Sequence, residues 1–143
     1  MQRINTLFAD YASFHRTRGN KLCHRAGIPL IMFSLFGMLA LVRVPANHPH
    51  FNLAVLLIAI STIYYFTLEW RLGIVMLVVS VAMYLVALQL PFWLLLSLFV
   101  AGWILQGIGH AAYEKNRPAF AKNLVHLLVG PLWIANDLVK VVR

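Results

Sequence analysis

LGIVMLVVSVAMYLVALQL, Leu72 to Leu90, contains no charged side chain and is close to the ~20 residues that a helix needs to cross a hydrocarbon core. Three similar stretches lie around it: Gly27 to Val44, Phe51 to Leu68, and Phe92 to Ile108. The breaks between them are short: Pro45 to His50, then Glu69-Trp70-Arg71, then Gln89-Leu90-Pro91. Connections this tight force antiparallel neighbours. The expected fold is an all-α integral membrane protein, a single membrane domain over residues 1–143 with four transmembrane helices at 27–44, 51–68, 72–90 and 92–108.

Composition agrees. The chain of 143 residues is 62% hydrophobic and only 11% charged, against about 25% charged in ordinary soluble domains. Packed as a soluble globule it would expose large apolar patches. A cleavable signal peptide is not expected, because Asp10, Tyr11, His15, Arg16 and Arg18 interrupt any early apolar run. The net charge of +8 suits anionic lipid headgroups. No nucleic acid partner is expected, since the basic residues flank apolar spans and form no separate domain. The single cysteine, Cys23, excludes an internal disulfide and reads as small packing material, with a soft metal ligand as the other reading.

Basic residues set an orientation. Arg3, Arg16, Arg18, Lys21 and Arg25 precede the first span; Lys115, Arg117, Lys122, Lys140 and Arg143 follow the fourth. Arg71 occupies the middle turn, and the other two turns add only Arg43. The positive-inside rule then puts both termini in the cytoplasm, for a multi-pass protein of a bacterial inner membrane or, in a eukaryote, of the endoplasmic reticulum.

Two segments flank the spans. Residues 4–18 begin with Ile4, Leu7, Phe8, Tyr11, Phe14 and His15 at helical spacing, which predicts an amphipathic interfacial helix. Residues 123–142 are apolar but carry Gly130-Pro131 at the midpoint and Asn136, Asp137 and Lys140 near the end. A full crossing would bury those charges at ~2.5–3.5 kcal/mol each if central. A kinked or re-entrant helix in the cytoplasmic leaflet is expected instead.

The polar chemistry sits in two clusters, His15 to His24 and Gln106 to Glu114. Neutral imidazoles gathered against lipid suggest a metal site acting on a lipid-like substrate. His15 and His24 are nine positions apart, which on one helix would place them on opposite faces. A stop at Gly19 with Asn20 capping the next helix, on the amides of Leu22 or Cys23, would let both face one point. Gln106, His110 and Glu114 share a helical stripe, flanked by Gly107 and Gly109 that permit close backbone approach. His110 reads as a ligand, with Glu114 as its partner or a proton acceptor; alternatively Glu114 pairs with Lys115 or Arg117. His126 is either a fourth imidazole or a lone snorkelling one. His48 and His50 belong to the outer turn, and Glu69 is a spare carboxylate near the middle cytoplasmic turn.

Together these motifs resemble the 2-hydroxy fatty acid dioxygenase family, small membrane proteins of fungi and bacteria linked in fungi to phytosphingosine breakdown. The first signature is Tyr11, His15, Asn20, His24 and Gly27-Ile28-Pro29; the second is Gln106, Gly109, His110, Glu114, Lys115, Arg117, Pro118 and Ala119; Asn123 to Leu132 is also similar. The resemblance implies an enzyme of fatty acid alpha-oxidation that uses ferrous iron, Fe(2+), and dioxygen to shorten a 2-hydroxy fatty acid by one carbon. It carries His15, His24 and His110, with His126 beside them, to the metal, and Asn20 and Glu114 to catalytic support. Arg16, Arg18, Lys21 or Arg117 would offset the substrate carboxylate. The alternatives are a metal-independent scaffold or small transporter with pH-sensitive histidines, and a haem protein with paired histidines.

Overall fold

The computed structural model describes residues 2–44, 51–115, 118 and 123–142, and every extended element among them is helical. The turn with His48 and His50, Arg117 and Ala119 of the second motif, and Lys122 lie outside the described residues. In chain order the helices are α1 (Gln2–Ser13), α2 (Arg18–Ala40), α3 (Leu53–Leu68), α4 (Trp70–Ala87), α5 (Phe92–Ile108), a π-helical turn (Gly109–Glu114) and α6 (His126–Val139).

Three helices are long and apolar enough to cross a membrane: α2, α4, and α5 with its π-helical continuation. α3 is equally apolar but has 16 residues, ~24 Å of helix, so three of the four expected spans stand at full length and α3 falls short of it. Ile63 (66% exposed), Val78 (62%) and Trp93 (75%) face outward where a soluble protein would put charge, so the surface is made for lipid. The chain is a membrane protein.

The first apolar helix begins well before the expected Gly27. It starts at Arg18 and carries Asn20 and His24 in its opening turns. The cap is Thr17, whose Oγ1 accepts from the Asn20 amide at 3.3 Å; Asn20 does not cap, and Gly19 lies within the helix rather than ending α1. α1 stops earlier, at Ser13, where short-range bonds from Phe14 N to Tyr11 O and from His15 N to Ala12 O tighten its last turn.

α2 and α5 run antiparallel in close contact. Gly27 meets Gly102 here: a Cβ on either glycine would sit 2.9 Å from the carbonyl oxygen of the other, so neither tolerates a side chain. Gly109 presses on Asn20 in the same way, whereas Gly107 has nothing within 4 Å and faces outward, so only one of the two flanking glycines admits a neighbour.

Glu69 does not join the polar clusters. It joins α3 to α4 in an extended conformation, its N–H bonding Tyr65 O and its carboxylate accepting from Arg71 N at 3.3 Å. Asn52 caps α3 and donates to Tyr84 Oη at 2.9 Å, which ties the start of α3 to the last turn of α4.

α1 and α6 pack together across the end of this bundle where α3 passes into α4. Ile4 of α1 and Leu132 and Ala135 of α6 share a buried cluster with Tyr65, Leu68, Leu72 and Met76. The apolar stripe of α1 therefore packs largely on protein. α6 keeps Pro131 inside the helix, and its end closes on itself through Asn136, which bonds both Val142 N and Val142 O. Asp137 escapes burial by pairing with Arg25 of α2.

Candidate metal centre

Three histidines from three different places in the chain converge. His15 comes from the turn after α1, His24 from the second turn of α2, and His110 from the π-helical turn after α5. All are buried, and one nitrogen of each lies within 4.8 Å of the others. His24 Nε2 and His110 Nε2 are 3.1 Å apart.

Local chemistry fixes which nitrogens face the centre. His15 Nδ1 donates to Tyr11 O at 2.7 Å, and His24 Nδ1 donates to Asn20 O at 3.0 Å. Each acceptor lies four residues before its histidine, and a carbonyl can only accept. Both rings therefore carry the proton on Nδ1 and present a bare Nε2 lone pair, the arrangement by which backbone carbonyls orient metal-ligating imidazoles. Tyr11 also stacks on the His15 ring, centroids 4.1 Å apart and planes 20° from parallel. Burial lowers the His15 pKa from 6.5 to about 4, more than the Tyr11 carbonyl and Glu114 raise it, so the ring is neutral at physiological pH.

These residues fit a cation. Two nitrogens ~2.1 Å from one ion stand ~3.4 Å apart at a tetrahedral angle, so the 3.1 Å pair fits, while a pair at the 4.8 Å bound would close by about 1.4 Å on binding. His15 Nε2 is buried without a hydrogen-bond partner, an omission that costs roughly 1–3 kcal/mol unless something electrophilic stands before it. Three neutral imidazoles and no thiolate suit iron, zinc or copper.

The expected fourth imidazole is directed elsewhere. His126 is buried on the first turn of α6, but its Nε2 lies 3.0 Å from an Asp10 carboxylate oxygen of α1, and it is not in the group of three. Geometry favours the carboxylate because α1 and α6 are packed side by side. Cys23 is a partly buried free thiol beside Gly109.

Glu114 and Asn20 hold the scaffold around the histidines. The Glu114 carboxylate accepts from Arg16 N at 2.9 Å, Thr17 N at 3.1 Å, Thr17 Oγ1 at 3.0 Å and Asn20 Nδ2 at 3.2 Å. A carboxylate at the start of α2 also meets the positive end of the helix dipole. The π-helical turn makes this possible. Its wider winding, closed by Lys115 N–H on His110 O, separates Glu114 from the stripe that Gln106 and His110 keep toward the interior. Thr17 is the residue that sequence reasoning passes over, although a threonine directly before a polar helical start is an ordinary N-cap signal.

A cavity of about 390 Å³ opens from the histidines into the bundle. His15, His24, His110, His126, Gln106 and Tyr11 form its polar end; Ile28, Ile31, Met32, Leu35 and Phe36 of α2, Phe99 and Trp103 of α5, and Leu127, Leu128 and Pro131 of α6 form its apolar walls. Tyr65 Oη donates to Leu128 O at 2.9 Å and braces α6 as one wall. Gln106 is buried, with no hydrogen-bond partner for its Nε2.

No solved structure matches this chain. Over 123 residues it is 33% identical to the 2-hydroxy-palmitic acid dioxygenase MPO1 of Saccharomyces cerevisiae, an alignment that covers 83% of this chain and 69% of the yeast protein. The model of the family described as 2-hydroxy-palmitic acid dioxygenase Mpo1-like matches residues 1–142. With both polar motifs inside the matched region, the chain belongs to the Mpo1-like family.

Proposed function

We propose that this protein is a non-haem Fe(II) dioxygenase that converts a 2-hydroxy fatty acid into the fatty acid one carbon shorter. The observation that carries the proposal is the junction of a three-imidazole cluster with an apolar cavity in a chain of this family. His15, His24 and His110 would hold the ion through their Nε2 atoms. Bound ferrous iron supplies the dioxygen chemistry that amino-acid side chains lack.

The chain's own residues account for the rest. The apolar walls take the acyl tail, each buried methylene contributing ~0.8 kcal/mol to binding. That would set the polar head, and with it the first two carbons, beside the histidines. Gln106 offers an unpaired amide N–H to the substrate hydroxyl or carboxylate, and Arg18 and Lys21 lie on α2 near its cytoplasmic end to draw the acid in. Glu114 and Asn20 act through position, holding the α1–α2 turn so that His15 meets His24. Tyr11 keeps His15 from turning away.

The same reading puts α2, α3, α4 and α5 across the bilayer with both termini cytoplasmic, supported by the basic residues at the end where the histidines lie. The test is turnover of a 2-hydroxy acid by detergent-purified protein. Activity should disappear with a chelator, return with Fe(II), and be absent in His110→Ala. Full turnover by metal-free protein would reject the proposal.

A further inference from the structure

We infer that Phe36 and Ser80 measure the acyl tail: the cavity ends on them, and they set the longest chain that it accepts. This rests on the functional reading above for its substrate and on packing alone for the length limit. The cavity follows a single stripe of α2 from His24 to Phe36, twelve residues and therefore ~18 Å of helix. Half of a ~30 Å hydrocarbon core, the depth of one leaflet, is ~15 Å, so the space suits a tail of the length that bilayer lipids carry.

Beyond Phe36 the bundle is closed. Phe36 is 4% exposed and packs with Ala54 and Ile58 of α3 in a buried cluster, with Leu57 against it. A longer tail would have to expel that ring from a close-packed core. On the facing side the cavity meets α4 only at Ser80, which is 3% exposed and small enough to leave room beside the ring. Leu57 and Ser61 of α3 line the cavity as well, but Phe36 is the large side chain at the end of the α2 stripe and Ser80 a small one across from it, so trimming the first and enlarging the second move the limit in opposite directions.

The test uses full-length protein in detergent, offered straight-chain 2-hydroxy acids of graded length. Native mass spectrometry reads which acids are retained, and turnover is measured alongside. Wild-type kcat/KM and retention should rise about fourfold per added methylene and then fall once the floor is reached. Phe36→Ala should move that fall to chains longer by several carbons, Phe36→Leu by fewer, and Ser80→Leu to shorter chains. Phe36→Leu removes little volume and keeps the proposal testable where Phe36→Ala does not fold. A wild-type profile without a length limit overturns the inference. So does an unchanged limit in both Phe36→Leu and Ser80→Leu when each still binds metal. Retention with the expected limit but no turnover in the wild type would instead reject the dioxygenase reading and leave the length limit standing.

Discussion

Asn20 Nδ2 and Glu114 Oε2, ninety-four positions apart in sequence, meet at 3.2 Å, and this contact ties the start of α2 to the end of the α5 extension. The same carboxylate receives both amides of the turn that presents His15. Glu114→Ala should therefore destabilise the protein by roughly 1–3 kcal/mol and weaken iron binding about 10–100-fold, as losses of outer partners of metal ligands do. Glu114→Gln should fall between, because its amide nitrogen cannot accept from a backbone N–H. Thermal melts and metal titration check both; an alanine variant with wild-type iron affinity would remove the positioning role.

Removing a ligand should differ from removing a neighbour. His24→Ala and His110→Ala should purify without stoichiometric metal. His126→Ala should keep it, because that imidazole is turned toward Asp10. Elemental analysis of the three variants decides the matter, and metal loss from His126→Ala would restore a fourth ligand.

Acid should loosen the metal-free protein through His15. The ring's folded pKa is about 4 against an ordinary histidine value of 6.5, with burial the largest cause. Above 6.5 the ring is neutral whether folded or unfolded, so it contributes no pH dependence. Between 6.5 and 4 the unfolded chain takes up a proton that the buried ring refuses, so stability falls as pH drops and levels off below 4. His15→Gln should flatten that part of the profile in chelator-treated protein; an identical slope would assign the acid sensitivity elsewhere.

The two glycines beside His110 should respond oppositely to alanine. A Cβ at Gly109 would overlap Asn20 Oδ1 and lie 3.1 Å from Cys23 Cβ, so Gly109→Ala should force α2 and the π-helical turn apart and lower both stability and metal content. Gly107 has open space, and Gly107→Ala should be neutral or add up to ~1 kcal/mol of helix stability. Melting temperatures of the pair test this directly.

Hydropathy and motif spacing made much of this legible. The chain's membrane character and α5 follow from uncharged apolar runs, and the three ligand candidates stand out because imidazoles are rare in such a sequence. Helix starts were less legible. The apolar run begins at Gly27, but α2 begins nine residues earlier, since Thr17 caps it on the Asn20 amide and Glu114 in turn accepts from the Thr17 amide. A one-dimensional pattern carries no record of a carboxylate brought to that cap from ninety-seven positions away.

What the amino-acid order determined by itself was therefore the solvent, the family and the cast of histidines, because burial in lipid and the spacing of motifs are local properties. Their placement was decided only by the fold. The break between α1 and α2 turned His15 toward His24, the π-helical turn separated Glu114 from His110, and the packing of α1 on α6 gave His126 to Asp10. Direction in space depends on how helices cross and wind, which residue spacing alone does not encode.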